Sequence, residues 1–228
     1  MAFVNLKPGT LLAPVPAALI TSGAERGGRI VRNLMTAAWV GTVCSDPPMV
    51  SVSIRPSRFT CDLVEESGEF VVCLTDKKLL RATDYCGVRS GRDEDKFAAC
   101  SLTPVPAEGM KYAPALAEAP VYLACRVRNR LELGSHIMYV GETVGMGVRE
   151  DLVDHQGAVH TENAGLISYT HGLYQETGKA LGFFGFSVAD PKVRARRMAA
   201  IRENAGKGKA KGKAAGSRPA PGRKKKDR

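Results

Sequence analysis

A double proline followed by an alternating run constrains the fold of this chain more than any other feature. Pro47 and Pro48 interrupt the preceding segment, because proline fixes φ and has no N–H to donate. Residues 49–54 then alternate with a period of two, which indicates a β-strand. Residues 35–44 are rich in Thr, Val and small side chains, and they favour a single strand before the prolines. The stretch therefore predicts a β-hairpin that turns at the two prolines.

The two faces of the alternating strand differ in chemistry. Val50 and Val52 lie on the apolar face, and Ser51 and Ser53 lie on the opposite one. A serine face between apolar strands is unusual for a core and typical of a wall that contacts a ligand. Hydroxyl groups, guanidinium groups and the N–H groups at a helix N-terminus are the donors that a phosphate monoester needs. Such side chains follow at a predicted strand-to-helix junction and are Ser57, Arg58 and Thr60.

Strands dominate the rest of the pattern. Residues 121–133 and 136–148 flank a Gly134–Ser135 turn, which predicts an antiparallel hairpin. Shorter strands are expected at 17–21, ended by Ser22–Gly23, and at 69–75, with a turn at Gly27–Gly28. Helices are expected at 60–66, ended by Gly68, at 77–85, ended by Gly87, and at 92–100. The chain has no β-α-β alternation and no G-x-G-x-x-G motif, so the fold class expected is mainly β, an antiparallel barrel with short helical insertions.

Charge is distributed unevenly along the 228 residues. The formal net charge is +10, and residues 191–228 alone contribute +13, which leaves the rest of the chain at −3. Residues 206–228 consist mostly of Gly, Lys, Ala, Pro and Arg and are expected to be disordered. We therefore expect a folded domain over residues 1–190, a basic linker or helix over 191–205 and a tail over 206–228.

Several classes of protein are disfavoured by the sequence. No run is long enough for a transmembrane helix, and no basic region precedes the N-terminal residues as in a signal peptide. Neither the six cysteines nor the four histidines have metal-ligand spacing, so no metal site is expected. Scattered cysteines without an export signal favour reduced thiols and a cytoplasmic protein.

Motifs in this order resemble one known family. The pattern N-x-M-T-x-x-W is followed by P-P-x-V-x-V-S-I-R-P-x-R-x-T, and three later stretches, at 69–72, 86–97 and 136–142, agree. From about Pro14 to Phe186 the chain resembles the flavin reductase-like, FMN-binding split-barrel family, and within it the flavoredoxin branch. The resemblance implies a Greek-key split β-barrel that binds FMN.

The resemblance also implies which residues surround the cofactor. Ser53, Arg58, Thr60, Ser90 and Lys96 are expected at the FMN phosphate, Trp39 near the isoalloxazine ring, Thr36 as a donor to a ring or ribityl oxygen, and Tyr169 over the ring. Alone, Lys96 beside Asp95 is typical of an exposed charged pair, and His136 is typical of a structural histidine; the family pattern places both near the flavin. The expected cofactor residues are Asn33, Met35, Thr36, Trp39, Ser51, Ser53, Ile54, Arg55, Arg58, Thr60, Ser90, Gly91, Lys96, His136 and Tyr169.

Three functions are compatible with these features. The resemblance implies a homodimeric oxidoreductase that passes electrons from NADH or NADPH through FMN to free flavin, a ferric complex or a protein acceptor, with no side chain required as acid or base. The first alternative is an FMN-carrying electron-transfer protein without an NAD(P)H site, reduced by a redox protein partner. The second alternative is a nucleic-acid-associated protein that uses its basic tail, although the body lacks a basic patch and a recognised binding motif. The tail is also compatible with salt-dependent contact with another polyanion.

Overall fold

The computed structural model describes residues 2–214. Three 3₁₀ turns, at Lys77–Leu79, Glu150–Leu152 and Thr161–Asn163, supplement the regular elements. The strands are β1 Val15–Pro16, β2 Ala18–Arg26, β3 Arg29–Ala37, β4 Val40–Ser45, β5 Pro48–Ile54, β6 Glu69–Leu74, β7 Pro104–Val105, β8 Ala115–Leu116, β9 Val121–Leu133, β10 His136–Val148, β11 Ile167–Thr170 and β12 Leu173–Glu176. The helices are α1 Phe59–Ser67, α2 Leu80–Val88, α3 Lys96–Ala99 and α4 Pro191–Ala214.

Seven of these strands form one antiparallel sheet in the order β3-β2-β6-β9-β10-β5-β4. Its two edge strands, β3 and β4, are joined by only Ala38 and Trp39, so the sheet has to curl until its edges meet at this corner. The backbone N–H of Ser53 donates to the Trp39 carbonyl at 3.0 Å and fixes the corner against β5. This architecture confirms the predicted mainly β split barrel with short helices. Ala38 and Trp39 are called the seam below.

The seam corrects one prediction. Residues 35–44 were expected to form one strand, but the chain changes partner at the seam, since β3 pairs with β2 and β4 pairs with β5. The segment contains no proline and no glycine at the corner, so its composition gave no sign of the break. The predicted hairpin at Pro47–Pro48 is confirmed as β4 and β5.

Both faces of the central strands are buried. Ile20 of β2 and Val72 of β6 belong to an apolar cluster with Phe70 and Tyr139. The alternate residues of the same strands pack into a second cluster, which includes Leu79, Cys86 and Phe97 from the helices that cover the sheet. The sheet is therefore a layer between two cores, and α2 and α3 are anchored on its second face.

Two glycines act differently from their predicted roles. The first strand was expected to end at Ser22–Gly23, but β2 continues to Arg26, and a Cβ at Gly23 would lie 2.5 Å from the Tyr112 carbonyl oxygen. Gly87 lies inside α2 instead of ending it, and its Cβ position is 3.4 Å from the Thr36 Cβ. Both glycines permit close packing, whereas the turn predicted at Gly27–Gly28 is present with positive φ at both residues.

The C-terminal part forms a second compact unit that starts at Gly178. Its helix α4 begins at Pro191, next to the boundary expected at residue 190. The helix continues to Ala214, past Gly206 where the sequence predicted disorder. The rest of the predicted tail, residues 215–228, lies outside the described residues. Within residues 2–214, no helix is both long and apolar enough to cross a membrane.

Candidate functional site

Three residues from distant segments meet beside the N-terminus of α1. Asn33 of β3 and Thr60 of α1 are both buried, and the Asn33 Nδ2 donates to the Thr60 Oγ1 at 2.8 Å. Gly91, in the loop after α2, approaches the same amide so closely that an added Cβ would lie 1.9 Å from the Asn33 Oδ1. The strand, the helix and the loop are therefore held together at one polar point, which we call the amide corner.

Lys96 is a buried cation. Its side chain is 3% exposed, and its Nζ donates to the carbonyl oxygens of Cys86 at 3.2 Å and Arg89 at 3.3 Å, at the end of α2. Asp95 is turned away, because its Oδ1 accepts the N–H groups of Phe97 and Ala98 as the N-cap of α3. Among the described residues Lys96 has no ion-pair partner, so the exposed Asp95–Lys96 pair considered from the sequence alone is not what forms.

The charge of Lys96 is incompletely compensated. Burial is the largest effect and lowers the pKa of its ammonium group, and the positive charge of Arg58 lowers it too, whereas Cys86, Cys100 and Glu94 act in the opposite direction. Of the three ammonium protons, two are used by carbonyl oxygens, and the third remains for a further acceptor. Arg58 is half-buried as the N-cap residue of α1, and no carboxylate of the described chain pairs with it.

The neighbouring arginines behave differently from Arg58. Arg92 pairs with Asp62 at 2.8 Å and Arg26 pairs with Glu66, and both guanidinium groups lie over the Phe59 ring. Their charges are therefore balanced within the protein. Arg58 and Lys96, which have no salt-bridge partner among the described residues, are two of the groups that the sequence assigned to a phosphate.

Ser90 and the β5 serines are half-buried polar groups. The Ser90 Oγ accepts the Arg92 N–H at 3.2 Å, and the Ser51 Oγ donates to the Gly41 carbonyl at 3.4 Å. Ser53 lies opposite Met138 in the sheet. The predicted serine face is therefore present, whereas the side chains of Met35 and Ile54 are in the barrel core and only their backbones can contact a cofactor.

An aromatic pair lies at the seam. The Trp39 and His136 rings have centroids 4.3 Å apart with planes tilted by 40°, and Trp39 is 45% exposed. The Ser135 Oγ is 2.9 Å from the His136 Nδ1 and orients the imidazole. Burial, together with the positive charge of the exposed Arg55, lowers the pKa of His136, so the ring is neutral at pH 7. The pair offers a flat apolar surface with a neutral imidazole beside a guanidinium group.

Thr36 and Tyr169 are placed differently from the other predicted residues. The Thr36 hydroxyl donates to the Thr83 carbonyl of α2, so its proton is already used, whereas a donor to a ring or ribityl oxygen was expected. Tyr169 lies in a separate sheet of β1, β11 and β12, where its ring is 5.5 Å from that of Tyr174. The predicted residues therefore lie in three places. One group surrounds the amide corner together with Arg58 and Lys96, a second lies at the seam together with Arg55, and Tyr169 lies in the small sheet.

Sequence reasoning missed the backbone groups of the site. The carbonyls of Cys86 and Arg89 hold Lys96, and no side-chain pattern indicates them. Gly87 also allows α2 to lie directly against Thr36. A glycine near a helix end is consistent with either a C-cap or a close contact, and only the tertiary structure distinguishes the two. No group of three or more His, Cys, Asp or Glu side chains in the described part is arranged to hold a metal ion.

Comparison with known proteins identifies the family. A family model described as a flavin reductase like domain matches residues 11–163. The chain belongs to this family. The matched residues therefore include the amide corner, the seam and Lys96, and the match ends before Tyr169.

Similar proteins include uncharacterized and structurally solved members. An uncharacterized protein of Archaeoglobus fulgidus is 38% identical over 131 residues, which are 58% of this chain and 71% of that protein. A flavoredoxin of Desulfovibrio vulgaris is 29% identical with a TM-score of 0.75, covering 82% of this chain and all of that chain. An FMN-binding protein from Thermus thermophilus is 26% identical with a TM-score of 0.63, covering 80% of this chain and 98% of that chain.

Proposed function

We propose that this flavin reductase-like protein binds FMN and uses it to transfer electrons from NADH or NADPH to an acceptor. The observation that carries the proposal is Lys96, a buried ammonium group without an acidic partner. Similarity to an FMN-binding protein and to a flavoredoxin supports the same cofactor.

The residues around Lys96 fit a phosphate group. A buried charge without an opposite charge costs several kcal/mol, of the order found when one partner of a buried ion pair is removed. A phosphate monoester with close to two negative charges would balance Lys96 and Arg58 together. Each charge-assisted hydrogen bond would contribute about 1.5–3 kcal/mol. In this proposal Lys96 and Arg58 bind the phosphate oxygens, and the amide corner keeps the loop at Ser90–Gly91 beside them.

The seam fits the ring end of the cofactor. Trp39 presents an exposed aromatic face, and aromatic faces stack on flat conjugated rings. His136 is neutral at pH 7 and supplies a hydrogen-bond donor without adding a positive charge. FMN, when bound, would supply the hydride and electron chemistry, and the protein would bind it, orient it and limit access of water.

The experiment that tests the cofactor assignment compares FMN with riboflavin, which lacks the phosphate. Lys96→Met should weaken FMN binding by about 10- to 100-fold, as for one lost charge-assisted hydrogen bond, and leave riboflavin binding nearly unchanged. Lys78→Met, which removes an exposed lysine, is the matched control. Equal losses for FMN and riboflavin would reject the phosphate site. Thr60→Ala gives a second, smaller perturbation of the same site if Lys96→Met folds poorly.

The electron donor needs a separate experiment. Stopped-flow mixing of the FMN-loaded protein with NADH and with NADPH would measure reduction from the loss of flavin absorbance. Reduction by either nucleotide supports the reductase. Its absence with both, combined with reduction by a protein donor, would make the protein an FMN-carrying electron-transfer protein. The six cysteines are all free thiols, which is consistent with a reducing cytoplasm where both nucleotides are available.

We also propose that the protein acts as a homodimer. Large apolar side chains are exposed at Trp39 and Val43 beside the β4 edge and at Leu173 of β12. Exposed apolar surface of this kind is typical of subunit contacts. Light scattering of the purified protein at micromolar concentration should give twice the mass of the chain, and a monomer would contradict the proposal.

A further inference from the structure

Two cysteines lie side by side next to Lys96. The Sγ atoms of Cys86, in α2, and Cys100, just after α3, are 3.9 Å apart. Cys86 is buried, whereas Cys100 is half-buried and lines an open cavity of about 1030 Å³. Among the six cysteines, no other pair of sulfur atoms lies within the same distance in the described structure. One sulfur of the pair is therefore accessible from solvent, and the other is held directly behind it.

The backbone of each cysteine forms a hydrogen bond with Lys96. The Lys96 Nζ donates to the Cys86 carbonyl at 3.2 Å, and the Cys100 N–H donates to the Lys96 carbonyl at 3.1 Å. The two thiols thus join the C-terminal part of α2 to the end of α3, and Lys96 lies between these connections. A change in the separation of the two sulfur atoms would change the position of the ammonium group.

We propose that Cys86 and Cys100 form a reversible disulfide when the protein meets a hydroperoxide, and that this bond weakens binding at the Lys96 phosphate site. The first part concerns the thiols alone. The second part rests on the proposed function, since it needs the phosphate to be bound by Lys96. A disulfide requires the sulfur atoms to approach to about 2.05 Å, and the resulting cross-link would tie the C-terminal part of α2 to the end of α3.

The chemistry balances with hydrogen peroxide or an organic hydroperoxide as the oxidant. The Cys100 thiolate attacks the peroxide, an S–O bond forms, the O–O bond breaks, and the departing hydroxide or alkoxide takes up the proton that the thiol had released and leaves as water or an alcohol. The Cys86 sulfur then attacks the sulfenic acid, the S–S bond forms, the S–O bond breaks, and a second water leaves with the Cys86 proton. Two electrons pass from the two thiols to the peroxide. Cys100 is the attacking residue because it is the more exposed of the two, and burial, which raises the pKa of the Cys86 thiol to about 12, makes the second step the slower one.

Peptide mapping of the full-length protein tests the thiol chemistry. After peroxide treatment and alkylation under denaturing conditions, trypsin should release residues 82–89 linked to residues 97–111, and a dithiol reductant should separate them. The Cys44→Ser variant, which changes a half-buried cysteine distant in sequence from Cys86 and Cys100, should still form the cross-link. The Cys100→Ser variant should not. Oxidation of Cys100 to the sulfinic acid with Cys86 still alkylated would overturn the proposal.

Flavin titration of the same samples tests the connection to Lys96. The oxidised protein should bind FMN on the order of tenfold more weakly than the reduced protein, with riboflavin nearly unaffected. A cross-link that weakens the binding of FMN and riboflavin equally, or the binding of neither, would overturn the proposed effect on the Lys96 phosphate site. Failure of the proposed function is distinguishable, because then even the reduced protein would bind FMN and riboflavin alike while the peptide map still decides the disulfide.

Discussion

Gly91 and Asn33 approach each other so closely that only a glycine fits at residue 91. An added Cβ would lie 1.9 Å from the Asn33 Oδ1 and 2.6 Å from its Cγ. The Asn33 amide cannot move aside freely, because it is buried and its Nδ2 is bonded to Thr60. The loop that carries Ser90 therefore has a fixed position relative to β3 and α1.

Gly91→Ala should consequently disrupt the amide corner. The alanine methyl group would displace the Asn33 side chain and break its bond to Thr60, which costs about 1–3 kcal/mol in the free energy of unfolding. FMN binding should weaken more than riboflavin binding. Urea unfolding and flavin titration would measure the two effects. Gly41→Ala is the control, since a Cβ there meets no atom within 4 Å, and an equal loss in both variants would contradict the role of the close contact.

Tyr139→Phe should destabilise the barrel without affecting the choice of flavin. The buried Tyr139 hydroxyl bonds to the Glu65 carboxylate and lies 3.1 Å from the Cys61 sulfur, and Glu65 also pairs with Arg130. Loss of the hydroxyl leaves a partly buried carboxylate with one donor fewer. We expect a decrease of about 1–3 kcal/mol in the free energy of unfolding, measured by urea denaturation.

Tyr169→Phe is the matched control for Tyr139→Phe. Its hydroxyl makes no hydrogen bond with another described residue, so its removal should change the free energy of unfolding much less. Similar losses of unfolding free energy in the two tyrosine variants would show that the hydrogen bonds of the Tyr139 hydroxyl make no specific contribution to stability.

Arg55→Gln should raise the pKa of His136. Burial is the larger cause of the depressed pKa, and the Arg55 charge is the smaller one, so removing the charge should recover part of the shift. NMR titration of the His136 ring protons would measure the change. Arg29→Gln, at the start of β3, should leave the titration unaltered. A His136 pKa that is the same in all three proteins would show that Arg55 does not act on the ring.

The interactions of His160 with two carboxylates should make the free energy of unfolding depend on pH. The imidazole lies 3.0 Å from the Asp154 carboxylate and 2.9 Å from the Glu162 carboxylate, and these hydrogen bonds raise the His160 pKa. Because the folded pKa is above the unfolded one, the stabilisation is complete below about pH 6.5 and disappears as the pH rises through the folded pKa. The Asp154 pKa is lowered to about 2, so that carboxylate stays ionised over this range.

His160→Gln should therefore cost more free energy of unfolding at pH 6 than at pH 9. Urea unfolding at both values would measure the difference between the variant and the parent protein. His155→Gln changes another histidine of the same loop and is the control. A His160→Gln penalty that is constant between the two pH values would contradict the pairing.

Truncation after Asn204 should leave flavin binding unchanged. Every residue proposed to contact FMN precedes residue 170, and the sequence of the removed segment has no apolar periodicity. Flavin absorbance of the purified protein would measure the bound FMN. Heparin binding, where the full chain has it, should be lost on truncation and weakened by salt in the full chain. Loss of bound FMN would show that the tail belongs to the site.

The predictable parts of the fold were those fixed by local pattern. The β9–β10 hairpin forms at residues 121–133 and 136–148 as expected, because alternation and the Gly134–Ser135 turn both act within a few residues. Gly23 and Gly87 were misinterpreted because close packing depends on partners from distant segments. The seam was missed for the same reason, since only the pairing of β3 with β2 and of β4 with β5 reveals it.

The site was predictable in residue type and less so in arrangement. The family pattern named Lys96, but its burial follows from Asp95 capping α3 and from two backbone carbonyls, which no side-chain pattern encodes. The hydroxyl of Thr36 was expected to donate to the flavin, but it donates to the Thr83 carbonyl. This partner is distant in the chain and cannot be inferred from sequence spacing.

The seam also determines when the site can assemble during synthesis. The hairpins on either side of it, β2–β3 and β4–β5, emerge from the ribosome first, but the sheet joins them only through β6, β9 and β10. Trp39 therefore leaves the ribosome about a hundred residues before its ring partner His136 completes the pair. Until β6 is made, β2 has an unpaired edge, and until β10 is made, β5 has one; a nascent chain is prone to aggregation while such edges are exposed. Translation that pauses before residue 148 would thus leave a chain that contains almost every predicted flavin contact and no formed site.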